Sequence, residues 1–127
     1  VSFRLVAKKH VELLRNYGVE VIEKNVRFFA PKDVGKVTVV HPMFYPLVTS
    51  PHKIKFLLKY SEKLIGFDVC DTDRISQLAS FAANFFDLVS VPCKFCANVY
   101  RFSGVFTKIE VLPHGVNDVF FREPREP

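Results

Sequence analysis

Apolar and polar positions follow two different periods along the chain, one helical and one extended. In "AKKHVELLRNY", residues 7–17, Ala7, Val11 and Leu14 share one helical face with Leu13 and Tyr17 beside them, and Gly18 follows where a left-handed C-cap belongs. "PHKIKFLLKYSEK" (51–63) starts with Pro in a first turn and repeats apolar residues at Ile54, Leu57 and Leu58, which predicts a second helix. Helices are also predicted over 73–86, with Asp71 or Thr72 as cap, and over 94–102. Short β-branched or apolar runs bounded by turn residues read as strands: 1–5, 19–22, 36–40, 64–69, 88–91 and 108–112.

Taken in order, these elements read βαββαβαβαβ. Single helices between buried apolar strands imply right-handed crossovers. The expected fold is therefore α/β, a Rossmann-like, doubly wound, mostly parallel sheet with helices on both faces. One domain over residues 1–116 is expected, with "REPREP", inside 117–127, reading as a linker or tail.

Composition narrows the setting. Hydrophobic residues make up 49% and charged residues 24% of the chain, which is globular rather than disordered. No apolar run reaches the roughly 18 residues of a membrane span, and no signal-peptide pattern opens the chain, so a cytoplasmic protein is expected. Three cysteines are too few, and odd in number, for a disulfide framework. The net charge of +5 suits an anionic partner such as phosphate, nucleic acid or an acidic lipid surface, and charge alone does not choose among them. Peripheral association with the inner membrane face is compatible with it.

In an open parallel sheet, ligands bind beyond the carboxyl ends of the strands, and the residues there are the site candidates. Arg4 and Lys8 follow the first predicted strand, His41 the third, Asp71 and Asp73 the fourth, Cys93 the fifth, and His114 with Gly115 the sixth. His41, Asp71 and His114 are expected to meet on one rim, although each also has a plain reading as a strand end or helix cap. "DTD" resembles a metal-binding pair but has no third ligand nearby, so no metal is expected. "CKFC" puts Cys93 and Cys96 at the start of a helix after a strand, the thioredoxin arrangement, but later in the chain than such domains carry it. The default is a pair of small buried cysteines, with a thiol redox role as the alternative.

The stretch "FDLVSVPCKFCANVYRFSGVFTKIEVLPHGVNDVFF" is specific enough to resemble a family. Asp87, Val89, Val91 and Pro92, then Gly104 and Val105, then Lys108, Ile109, Val111, Leu112, Pro113, His114, Gly115, Val116 and Phe120 match one pattern in order. The pattern is the end of the N-terminal domain of GT-B-type retaining glycosyltransferases of the large glycosyl and mannosyl transferase family. "HVELLRNYGVEV" is similar to that family's first helix and second strand. Cys93 and Asn117 stand where the family has Ser and Asp, and "RLVAKK" has no glycine where the family carries a Gly-rich loop.

The resemblance implies an acceptor-binding domain, with residues 117–127 starting the interdomain linker to a C-terminal donor domain of about 150–200 further residues. It implies transfer of a sugar from a nucleotide-sugar co-substrate to a glycan, lipid-linked or polysaccharide acceptor, with no other cofactor, and no nucleic acid is expected as a partner. The donor phosphate would take the acceptor's proton, and the rim residues would position the hydroxyl. The domain alone would be inactive. A non-catalytic doubly wound binding module is the remaining alternative.

Overall fold

The computed structural model describes residues 2–25, 30, 32, 34–44 and 49–115. The expected linker, residues 117–127, lies outside them. In chain order the described elements are α1 (Ser2–Asn16), β1 (Val37–Val40), α2 (Pro51–Tyr60), β2 (Lys63–Phe67), α3 (Gln77–Ala83), β3 (Leu88–Val91), α4 (Lys94–Phe102) and β4 (Ile109–Val111). The four strands pair in the order β1-β2-β3-β4, and every pairing is parallel.

The register explains the core. Val40, Gly66, Val89 and Ile109 form one row across the sheet, and in parallel strands such partners point to the same face. Val40, Leu64, Val89, Val91 and Ile109 are buried in one cluster with Ile54 and Leu57 of α2, Ala82 and Ala83 of α3, and Cys96 and Tyr100 of α4. Strands that run in chain order with right-handed crossovers carry all their connecting helices on one face, as this cluster requires. Gly66 is the gap in the row. A Cβ there would collide with Met43 Sδ and lie 3.1 Å from Phe86 Cδ1, so those two buried side chains occupy its place.

α1 meets the opposite face at its carboxyl edge, while Val37 and Val39 of β1 stay half exposed there. Phe67 follows Gly66 and therefore points away from the core cluster, and its ring centroid lies 4.7 Å from that of His10 on α1. Helices thus flank both faces of a parallel sheet. Gly18, with φ +82°, ends α1 in a Schellman turn: its N–H donates to Arg15 O at 2.9 Å, and Val19 N–H donates to Leu14 O at 3.0 Å.

Two predicted strands are corrected. Residues 1–5 do not form a strand, because α1 starts at Ser2. Phe3, Val6, Ala7, His10 and Val11 are the partly buried positions of α1, a helical spacing that runs through the supposed strand without a break. Val19, Val21 and Ile22 are β-branched, but residues 19–22 pair with no strand among the described residues. The Val21 carbonyl instead accepts from Arg15 Nη2 at 2.9 Å. The third predicted helix also starts later, at Gln77, where Ser76 Oγ accepts from Ala79 N–H at 3.2 Å.

Candidate functional site

Three imidazoles gather around Phe67 at the carboxyl edge of the sheet. His41 follows β1 directly, and its ring stacks on Phe67 at 4.8 Å with 7° between the planes. His114 follows β4 and lies 6.1 Å from Phe67 at 13°. His10 reaches the same place from α1, with its ring centroid 5.8 Å from His41 and 6.3 Å from His114. Phe3 closes the group from one helical turn pair earlier, 6.0 Å from His41.

Backbone bonds fix this edge. Met43 N–H donates to Phe67 O at 2.8 Å, which holds the chain after His41 against the end of β2. Asp68, the next residue, is only 2% exposed. Its carboxylate accepts from Phe44 N–H and Val69 N–H, both at 2.9 Å, and from the Tyr100 hydroxyl of α4. Burial raises the Asp68 pKa and these bonds oppose the rise, while burial first and the Asp68 charge second raise that of Tyr100. Asp68 therefore locks the loop after β1 to α4.

His41 and His10 sit in a setting that favours the neutral ring. Burial, and then the neighbouring His10 and His114, lower the His41 pKa to about 4. Burial, and then His114, lower that of His10. Both ring nitrogens of His41 are buried with no hydrogen-bond partner among the described residues. Beside Phe67 in register, on the same face, Ser90 Oγ is also buried and unpartnered. A neutral imidazole donates through one nitrogen and accepts through the other. At a pKa near 4 His41 is a weak base, and with its nitrogens buried it backs the rim, while the exposed His114 is the ring open to a ligand.

The expected site residues fare unequally. His41 and His114 converge as expected. Arg4 and Lys8 do not belong to a strand end, since both are exposed positions of α1. Lys8 instead lines an open groove of about 390 Å³ with Val11, Glu12 and Arg15, apart from the imidazoles. Asp71 and Asp73 are exposed in the loop between β2 and α3, outside the imidazole group, and Ser76 takes the capping role expected of Asp71 or Thr72. Gly115 carries no positive φ and has open space around it, so the turn there does not depend on glycine; Gly104, φ +95°, does. Cys96 is buried as expected, but Cys93 is exposed. No group of three metal-binding side chains is arranged to hold an ion among the described residues.

Sequence reasoning missed His10, Phe67, Asp68 and Ser90. His10 was legible as a polar residue on the inward stripe of α1, and Ser90 as the lone hydroxyl in "LVSV".

No known protein-family model matches the chain, and no solved structure matches it. The chain is similar to a protein named "Uncharacterized protein 356" of Sulfolobus islandicus rod-shaped virus 1, 28% identical over 125 residues. The match takes in 93% of this chain and 35% of that protein, so the chain spans about a third of its relative's length. No helix among the described residues is long and apolar enough to cross a membrane.

Proposed function

We propose that this chain is the acceptor-side domain of a GT-B-type retaining glycosyltransferase, which moves a sugar from a nucleotide-sugar donor to a glycan, lipid-linked or polysaccharide acceptor. The observation that carries the reading is the imidazole rim, at the carboxyl edge of a parallel sheet where ligands of such folds bind. His114, in the segment that resembles the family, contributes to that rim directly. Residues 88–111 of the same segment fold as strand, helix and strand in the order the resemblance implies.

On this reading the exposed His114 of the rim orients the acceptor hydroxyl by hydrogen bonding. The donor and its phosphates are held by a second domain, and the two-thirds of the viral relative beyond the match leave room for one. An acceptor carried on a lipid would bring the chain, with its net charge of +5, to an anionic membrane face from the cytoplasmic side.

The test is a panel of nucleotide sugars offered to the full-length protein and to this chain alone, with sugar transfer read by mass spectrometry on a lipid and glycan extract. Transfer by the full-length protein and none by the chain alone is expected. Full-length protein that neither transfers nor hydrolyses any nucleotide sugar contradicts the reading.

A further inference from the structure

The imidazole rim makes no use of the three cysteines, which cluster where β3 passes into α4. Cys93 Sγ and Cys96 Sγ lie 3.5 Å apart. Bonded sulfurs lie about 2.0 Å apart, so closing the pair takes roughly 1.5 Å of side-chain motion. The two sulfurs differ in surroundings. Cys93 is exposed, whereas Cys96 is 2% exposed and its thiol donates to Cys70 O at 3.5 Å.

Cys93 is the N-cap of α4, where the first-turn amides have no helical acceptor and favour a negative charge. Its side chain closes no capping hydrogen bond and instead donates to Cys96 Sγ at 3.5 Å. The Cys96 amide first, then the Cys96 thiol and the Phe95 amide, hold the Cys93 thiol below its ordinary pKa. Burial pushes Cys96 up, and pushes Cys70 up to about 12. One sulfur is thus an open nucleophile and the next a sheltered thiol within reach of it.

We propose that Cys93 and Cys96 form a thiol–disulfide exchange site that reduces low-molecular-weight disulfides and closes to an intramolecular disulfide. The Cys93 thiolate attacks one sulfur of R–S–S–R; that bond breaks, a thiolate RS⁻ leaves, and a Cys93–S–S–R mixed disulfide forms. Cys96 gives its proton to the released thiolate, and its sulfur attacks Cys93 Sγ. The second RS⁻ leaves and takes up the proton that Cys93 had released to solvent. The protein loses two electrons and two protons, and the small disulfide becomes two thiols. Cys70, held as a thiol, takes no part. The site stands independently of sugar transfer.

The test incubates the full chain with glutathione disulfide, blocks remaining thiols with an alkylating agent, and maps the products by mass. The expected product has lost two hydrogens, links Cys93 to Cys96, and leaves Cys70 alone alkylated. Cys96→Ser should accumulate one glutathionyl group on Cys93, and Cys93→Ser, a change at an exposed position, should slow the reaction at least tenfold. Should Cys96→Ser not fold, the unmodified chain serves through its time course, in which the Cys93 adduct must rise before the internal link. A chain that does not react, a glutathionyl adduct that persists on the unmodified chain, or a link through Cys70 overturns the proposal.

Discussion

His41 lies flat on Phe67, ring centroids 4.8 Å apart and planes within 7°, which joins the end of β1 to the end of β2 at the carboxyl edge of the sheet. The stack seats the imidazole against an apolar surface. Both ring nitrogens are without a partner among the described residues, an uncommon state for buried polar atoms.

That seat makes stability depend on acidity. His41 has a folded-state pKa of about 4 against an ordinary 6.5. Between those values the unfolded chain binds a proton that the folded chain does not, so stability is retained above about pH 6.5 and falls as the pH drops toward about 4. His10, also lowered, adds to the fall, and His114 faces both rings. His41→Phe keeps the stack and removes the titration. Melting temperatures from pH 7 to pH 4 should decline less steeply for this variant; an unchanged slope contradicts the neutral-imidazole account.

Asp68 is a structural carboxylate at this edge. Asp68→Ala leaves the Phe44 amide and the Tyr100 hydroxyl without their buried acceptor and should cost about 2–4 kcal/mol in urea unfolding. Tyr100→Phe, which removes one donor and leaves two amides in place, should cost about 1–2 kcal/mol. Equal losses would show that the carboxylate does not gather these bonds.

Gly66 is fixed by packing. A methyl group there collides with Met43, which is fully buried and cannot swing into solvent, so Gly66→Ala should cost about 1–3 kcal/mol. Met43→Ala alone should cost about 2–5 kcal/mol through the cavity it leaves. The double variant should lose less than the sum, because the new methyl fills part of that cavity. Additive losses in denaturant unfolding would contradict the contact.

Much of this fold is legible in the chain where short apolar runs stand between turn residues. "LVSV" and "KFCANVYRF" fold over the residues their patterns mark, 88–91 and 94–102. The N-terminal third misleads because β-branched composition is a weak guide without a partner strand. Val19 and Ile22 stay exposed, and Phe3 belongs to a helical stripe that five residues cannot reveal. His41 and His114 could be found by position alone, since a parallel sheet gathers the ends of its strands. His10 is legible as a polar residue on the inward stripe of α1, but its place at the rim depends on how α1 meets the sheet. The exposure of Cys93 beside buried Cys96 likewise depends on how α4 packs.

The central claim is that the imidazole rim faces a sugar acceptor, and turnover of the full-length protein with His114→Ala tests it most directly. His114 is exposed and stacks loosely, so the substitution should leave the melting temperature unchanged. The account predicts a fall in sugar transfer of at least tenfold, about 1.4 kcal/mol of barrier. Transfer at the unsubstituted rate would contradict it.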